Sequence, residues 1–259
     1  MDVGQVSILA LVQGLTEFLP VSSSGHLVVL QHFFGITEPQ LFLDIVLHVG
    51  TLGAVVLFLR KEILKSLQLP FKDLSTPYNP LYVLVALIPT GIIGLFLERK
   101  ADVLFSSPSI VAVMLIITGT LLLLPKFLRF SNNPRITFLK AFLIGVAQGI
   151  AVTPGISRSG ITIVVGLLLG LRGEEAGRFS FLISVPAILG ALFLELKKSV
   201  DFNSNIAVYV LGLVLAFLSG LFALNLLIWL IKKGSTTGNL QYFSPYCWGL
   251  GLCLLIFVR

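Results

Sequence analysis

The sequence predicts an all-α protein that crosses a membrane about six times. Of its 259 residues, 56% are hydrophobic and 12% are charged, whereas soluble domains carry about 25% charged residues. The mean hydropathy is +1.00. Six apolar runs approach the ~20 residues that a helix needs to cross the hydrocarbon layer of a bilayer. These runs are residues 41–59, 81–97, 110–124, 179–196, 206–231 and 242–258.

Two further regions are apolar but too interrupted to be simple spans. The first joins residues 6–19 to residues 27–35, and the second joins residues 138–152 to residues 161–171. Apolar segments of about 10 to 14 residues more often form re-entrant pieces than spans. We therefore expect two re-entrant helical hairpins. The first has no basic start, so we expect it to stay in the mature protein rather than to act as a signal peptide.

The polar turns of the two hairpins are similar to each other. QGLTEFLPVSSSGH starts at Gln13 and QGIAVTPGISRSGI starts at Gln148, an offset of 135 residues. The chain is therefore predicted to be one integral membrane domain, 1–259, built from two repeats, about 1–125 and 136–259. Three full crossings in each half would give an inverted-topology repeat, as in many transporters. The two turns should then meet near the middle of the membrane, buried in protein or lining a cavity.

The distribution of charge predicts the orientation. The net charge is +6, but the basic residues lie mostly in short connections, where they set topology rather than bind nucleic acid. They cluster after the first, third and fifth spans, so these connections should be cytoplasmic and both termini outside. The two cysteines fall in the last apolar run and predict neither a disulfide framework nor a metal cluster.

The turn of the second hairpin has the composition of an anion site. Arg158 follows Pro154 and Gly155 and opens a new helix, where free backbone N–H groups and the helix dipole favour a negative charge. Its planar guanidinium donates in a geometry that matches phosphate oxygens. Further hydroxyl donors come from Ser157, Ser159 and Thr162. The first hairpin repeats the pattern with Ser22, Ser23 and Ser24. Two such turns facing each other could hold two linked phosphates.

The first hairpin adds a carboxylate and an imidazole. Glu17 can hold a divalent cation or accept a proton. Imidazole gains and loses a proton near neutral pH, which suits His26 to acid–base or nucleophilic work. Structural roles compete with these. An arginine within a membrane segment is functional by default. The alternative for Arg158 is a structural ion pair with Glu17, and the serines could serve simply as helix caps.

Four other polar residues accompany the two turns. Gln13 and Gln148 would support the site or simply hydrogen-bond between helices. Asp44 and His48 lie one turn apart in the first span, where supporting roles and polar packing are equally compatible with the sequence.

The segments QGLTEFLPVSSSGH and PGISRSGIT resemble the two signature segments of the bacterial undecaprenyl-diphosphate phosphatase family of the bacitracin-resistance type. The resemblance runs along the whole chain. It implies an inverted-repeat membrane fold with two re-entrant hairpins. It also implies removal of one phosphate from undecaprenyl diphosphate, which recycles the lipid carrier for cell-wall synthesis.

The same resemblance assigns roles to residues. It implies that Glu17 is tied to a divalent cation, Mg²⁺ or Ca²⁺, and that Ser23 and His26 are the reactive pair. Some members have a second glutamate where this chain has Gln13, which leaves one carboxylate for the cation. The attacking group is Ser23, His26 or water. The phosphate ligands would be Arg158 and Thr162, with Ser157 and Ser159 beside them.

The expected partners are a polyprenyl diphosphate substrate and membrane lipid; a homodimer is compatible with the sequence. The expected location is the cell inner membrane, with the active site facing the outer, periplasmic side. The alternative function is a secondary transporter or flippase for a lipid phosphate or another anion, because such proteins also use inverted repeats with broken helices. Replacing His26 should abolish phosphate release in an enzyme and spare lipid binding, whereas a carrier should keep binding and transport.

Overall fold

The fold is built from α-helices. The computed structural model describes residues 1–36, 40–70, 73–74, 76–98, 107–128, 133–196, 206–234 and 239–257. The helices of the first half are α1 (Val3–Phe18), α2 (Ser23–Phe33), α3 (Leu41–Phe58), α4 (Arg60–Gln68), α5 (Pro80–Glu98) and α6 (Pro108–Phe127). Those of the second half are α7 (Phe138–Ile150), α8 (Arg158–Leu168), α9 (Gly173–Glu195), α10 (Ile206–Lys233) and α11 (Ser244–Phe257).

Among the described residues, five helices are long and apolar enough to cross a membrane, namely α3, α5, α6, α9 and α10. The sixth predicted span, 242–258, corresponds to α11, which has 14 residues and directly follows the 3₁₀ turn Leu240–Phe243. Pro245 accounts for the late start of α11, because proline fits the first turn of a helix but not its interior. The prediction of an all-α, multi-pass membrane protein is confirmed.

Helix α9 begins at Gly173, earlier than the predicted start at residue 179. Its first turns are charged, and ion pairs with other helices satisfy those charges. Glu174 pairs with Lys232 at the end of α10 (3.1 Å) and with Arg178 (3.0 Å), and Arg178 also pairs with Glu62 in α4. Helix α4 and the end of α10 belong to two of the connections predicted to be cytoplasmic. The ion pairs therefore gather these connections on one face of the protein.

The two hairpins are α1 with α2 and α7 with α8, and each hairpin packs into the other half. Helix α1 packs against α10, and α7 packs against α5. Glycine permits both contacts: a Cβ atom at Gly14 would lie 2.5 Å from the carbonyl oxygen of Ala216, and one at Gly149 would lie 2.8 Å from Cβ of Ile93. Gly14 and Gly149 are separated by the same 135-residue offset as the polar turns. The halves therefore interlock through equivalent helices.

Helices α2 and α8 also end in the same way. Gly35 and Gly170 follow them with φ of 67° and 89°, a region that glycine enters at little cost. After each glycine, the next N–H group donates to a carbonyl five residues earlier at 2.9 Å, which is the closing bond of a Schellman motif. These matched ends lie at the predicted repeat offset. The repeat bounds, about 1–125 and 136–259, and the opposite insertion of the two halves stay predictions.

Candidate active site

The turns of the two hairpins touch each other. Ser22 and Ser157 cap α2 and α8, since each Oγ accepts the N–H group three residues later, at 3.4 Å and 3.1 Å respectively. From the second hairpin, Ser159 Oγ donates to the carbonyl oxygen of Leu19 in the first, at 3.1 Å. The two anion-binding turns expected from the sequence are therefore neighbours in the fold.

Glu17 joins the chemistry of the two hairpins. Its Oε2 atom accepts hydrogen bonds from Ser23 Oγ at 2.6 Å and from Gln13 Nε2 at 3.1 Å. Its Oε1 atom is paired with the guanidinium of Arg158. The Glu17 side chain is only 4% exposed, and a buried charge needs a partner of this kind. The ion pair that competed with a ligand role for Arg158 is present.

A cavity of about 700 Å³ lies against this cluster. The Arg158 side chain is 20% exposed, so the guanidinium faces the cavity as well as Glu17. A phosphate in the cavity would meet the guanidinium, several hydroxyls and the N-terminal end of α8. The predicted residues that line the cavity are Glu17, Ser22, Ser23, Ser24, Gln148, Ser157 and Arg158.

His26 points to another helix. Its Nδ1 lies 2.7 Å from the carbonyl oxygen of Ser22, so Nδ1–H donates to that oxygen. Its Nε2 then accepts from the hydroxyl of Tyr246 in α11 at 2.6 Å, and the two rings stack with centroids 5.7 Å apart. His26 is absent from the described cavity lining. Tyr246 was not found from the sequence, because a tyrosine in an apolar run gives no sign of a partner 220 residues away.

Three other predicted residues lie behind the second turn rather than on the cavity surface. Thr162 Oγ1 donates to the carbonyl oxygen of Arg158 at 2.7 Å and lies 2.6 Å from Ser180 Oγ. Gly155 has φ of 90°, and its carbonyl oxygen accepts from Thr118 Oγ1 at 2.9 Å. Ser159 is held by its bond to the first hairpin, described above. These contacts fix the backbone that presents Arg158.

A second polar group lines the cavity on the side of α3. Gln31 Nε2 donates to Asp44 Oδ1 at 3.4 Å, and His48 Nδ1 lies 2.8 Å from the carbonyl oxygen of Asp44. His48 and Glu195 line the same cavity. Asp44 and His48 thus belong to the cavity wall. Glu195 was missed because, at the end of a predicted span, a charged residue is expected simply to reach water.

Comparison with known proteins identifies the family. Residues 6–253 match the family described as Bacitracin resistance protein BacA. The chain belongs to this family. It is 44% identical over 263 residues to the Undecaprenyl-diphosphatase of Carboxydothermus hydrogenoformans, a comparison that covers 99% of this chain and 97% of that protein. The resemblance identified from the two signature segments is confirmed.

Two more relatives carry the same name over comparable lengths. The Undecaprenyl-diphosphatase of Desulfatibacillum aliphaticivorans is 40% identical over 272 residues, covering 97% of each chain. That of Desulforapulum autotrophicum is 44% identical over 275 residues, covering 99% of this chain and 98% of that protein. The sequence similarity to these relatives therefore extends over both hairpins and the helices between them.

The oxygen atoms around Glu17 fit a divalent cation that is shared with a phosphate ligand. Within the described ranges, no group of three or more His, Cys, Asp or Glu side chains is placed to hold a metal ion. The oxygen ligands at this point are the Glu17 carboxylate and the Ser23 hydroxyl, and Gln13 would add its amide oxygen if its amide group, whose Nε2 donates to Glu17, turned over. That amide oxygen is buried and has no hydrogen-bond partner among the described atoms. Mg²⁺ is commonly bound by one or two carboxylates together with substrate phosphates, which matches this set.

Proposed function

We propose that this BacA-family protein hydrolyses undecaprenyl diphosphate to undecaprenyl phosphate and inorganic phosphate. The observation that carries the proposal is the Glu17 carboxylate, which contacts Ser23 of one hairpin and Arg158 of the other at the wall of a large cavity. Phosphoryl transfer uses a hydroxyl, a base and a positively charged group at one point, and Ser23, Glu17 and the guanidinium of Arg158 are such a set. The names of the full-length relatives support the same substrate.

The proposed reaction begins with the diphosphate against Arg158 and the first turn of α8. Phosphoryl transfer depends mainly on in-line positioning and on stabilising the charge of the transferred oxygens. Arg158 supplies both, and its existing ion pair holds the guanidinium at the junction until phosphate competes for it. The hydroxyls of Ser22, Ser24 and Ser157 complete the set of donors on the cavity surface.

Glu17 is the proposed proton acceptor. Ser23 Oγ already donates to it at 2.6 Å, so Ser23, or a water in its place, can lose its proton to Glu17 while attacking the terminal phosphorus. The bond between that phosphorus and the bridging oxygen breaks, and undecaprenyl phosphate leaves. If Ser23 attacks, water then hydrolyses the phosphoserine and inorganic phosphate is released.

His26 and the cation have supporting places in this scheme. The contacts of His26 with Ser22 and Tyr246 favour a positioning role for the turn that carries Ser23; direct acid–base or nucleophilic action stays a prediction. Glu17, Ser23 and Gln13 would hold a bound Mg²⁺ or Ca²⁺, which would offset the negative charge of the diphosphate. We place the protein in the cell inner membrane with its cavity open to the outer side; the homodimer stays a prediction.

A carrier or flippase is the second candidate. The observation that favours it is the meeting of two broken helices between equivalent halves, an arrangement that secondary transporters use. A carrier needs Arg158 to bind an anion, but it has little use for a hydroxyl that donates to a buried carboxylate. Binding without phosphate release would therefore favour the carrier.

The test is phosphate release from undecaprenyl diphosphate by detergent-purified protein, with and without EDTA. Arg158→Ala and Glu17→Ala should each reduce release about 10²- to 10³-fold, as loss of one transition-state contact commonly does. Arg60→Ala is the charge-matched control, because Arg60 is exposed in α4, and it should behave as wild type. No release by folded wild-type protein that still binds undecaprenyl phosphate would contradict hydrolysis and support the carrier.

A further inference from the structure

A second cavity, of about 360 Å³, lies beside the first turns of α9. Three parts of the chain form it: the connection between α4 and α5, the segment that precedes α7, and the turn between α8 and α9 together with the start of α9. It shares no described lining residue with the cavity at Arg158. Because α7 and α8 make up the second hairpin, the second cavity lies at the base of that hairpin and is separate from the candidate active site.

Three charged side chains line the second cavity, namely Arg135, Arg172 and Glu175. Within the described part of the chain, none of the three belongs to an ion pair. The nearby charges of the same helix behave differently, since Glu174 and Arg178 both pair with other helices. The ion pairs that join α4, α9 and α10 therefore leave the charges of the second cavity available to a ligand.

The fold fixes the backbone that carries both arginines. The N–H group of Arg135 donates to Asn133 Oδ1 at 3.0 Å. The buried ammonium of Lys140 donates to the carbonyl oxygens of both residues, at 2.9 Å for Arg135. Arg172 follows Gly170, which has φ of 89°, and occupies the N-cap position of α9. Because these segments are already ordered, a ligand has to order only the exposed side chains, which lowers the cost of binding.

Two guanidiniums beside one carboxylate suit a ligand that carries both a phosphate and a primary ammonium. Arginine binds phosphate oxygens with two parallel N–H donors. A carboxylate such as Glu175 accepts hydrogen bonds from an ammonium group, and it repels a ligand that is only anionic. The three side chains therefore favour a zwitterionic group over free phosphate.

The surroundings of the second cavity indicate that its occupant comes from the membrane. Leu74 lines the cavity and is 42% exposed. Phe138 and Leu139 follow the lining residue Ile136 in the chain and are 44% and 67% exposed in the first turn of α7. The apolar span α5 begins at Pro80, close in sequence to Leu74, so the cavity lies near the depth of the lipid headgroups. Exposed apolar side chains beside a charged cavity match a lipid, which has acyl chains next to its headgroup.

We propose that the second cavity binds the headgroup of a membrane phospholipid with a phosphate and a primary ammonium, as in phosphatidylethanolamine. Arg135 and Arg172 bind the phosphate, Glu175 accepts from the ammonium, and the exposed start of α7 contacts the acyl chains. The lipid thereby connects the segment before α7 to the turn after α8, which are the two ends of the second hairpin. This site does not depend on the proposed function.

The test is native mass spectrometry of the detergent-purified full-length protein, titrated with dioleoyl phosphatidylethanolamine or dioleoyl phosphatidylcholine. The first phosphatidylethanolamine should bind about tenfold more tightly than phosphatidylcholine, whose quaternary ammonium cannot donate to Glu175. Arg135→Ala and Arg172→Ala should each weaken phosphatidylethanolamine binding about tenfold, because each removes a charged hydrogen-bond donor. Glu175→Gln should abolish the preference between the two lipids.

Arg60→Ala is the matched control, because Arg60 is an exposed arginine of α4 that does not line the second cavity. Its affinity for phosphatidylethanolamine should equal that of wild type, and circular dichroism should show wild-type helix content in every variant. Equal affinity of wild type for the two lipids, or the same loss in Arg60→Ala as in Arg172→Ala, would overturn the proposal. Displacement of the lipid by an equal concentration of inorganic phosphate would also overturn it, since the site would then take a soluble anion.

Discussion

Ser23 and Arg158 occupy equivalent places in the two hairpins, each one residue after the serine that caps its helix. Their helices begin with the same kind of serine cap and have the same glycine-dependent ending, although the two capping serines differ in φ. The side chains differ. Ser23 donates to Glu17 of its own hairpin, whereas Arg158 reaches Glu17 from the other.

This difference shows how a duplicated framework can form one asymmetric site. At the 135-residue offset, Val152 takes the place of Glu17 and Ile161 takes the place of His26. Two copies of the first hairpin would bring together two buried carboxylates without a cation, and two copies of the second would bring together two guanidiniums. Either pair of like charges is unfavourable in a buried setting. The ion pair requires one hairpin of each kind.

The largest expected effect comes from removing the negative charge of Glu17, whose place in the second hairpin is taken by Val152. Glu17→Gln should reduce phosphate release about 10³-fold, because it removes the proposed proton acceptor and leaves Arg158 unpaired. Val152→Gln is the matched control, since it introduces the same amide at the equivalent cavity-lining place in the second hairpin. Steady-state phosphate release in detergent measures both. Equal losses in the two variants would mean that the hairpins do not divide the chemistry as proposed.

Much of this site could be predicted from the sequence because it depends on local signals. Interrupted apolar segments indicated the hairpins, and the repeated QG and SxSG patterns indicated that Glu17 and Arg158 would meet. Serine caps and helix-ending glycines act within a few residues, so their structure follows from short-range rules.

Other features depend on contacts between distant parts of the chain. The partner of His26 is Tyr246, and the early start of α9 depends on Glu62 and Lys232. A hydropathy pattern contains no record of such pairings.

The next smaller effect tests the contact between His26 of the first hairpin and Tyr246 of α11. Tyr246→Phe removes the hydroxyl bonded to His26 Nε2 and leaves that nitrogen without its partner. Loss of one such hydrogen bond costs about 1 kcal/mol, which corresponds to about fivefold in phosphate release. If Tyr246 acts through His26, the same change should have no further effect in a His26→Ala background. Additive losses in the double variant would show that Tyr246 acts independently of His26.

The smallest expected effect concerns the serine caps of α2 and α8, Ser22 and Ser157. Ser22→Ala and Ser157→Ala should each lower the free energy of unfolding by about 1 kcal/mol, because each removes a helix N-cap. Substitution by glycine should affect the free energy of unfolding differently at the two positions. Ser22 has φ of 68°, whereas Ser157 has φ of −76°, and positive φ costs a non-glycine residue about 1 kcal/mol.

Ser22→Gly should therefore be about as stable as wild type, because release of strain offsets the lost cap. The free energy of unfolding of Ser157→Gly should remain a few tenths of a kcal/mol below that of wild type, because this variant loses the cap and releases no backbone strain. Thermal unfolding in detergent, compared for the alanine and glycine variants at each position, measures the difference. An equal gain from alanine to glycine at both positions would mean that the two caps differ in backbone angle but not in stored strain.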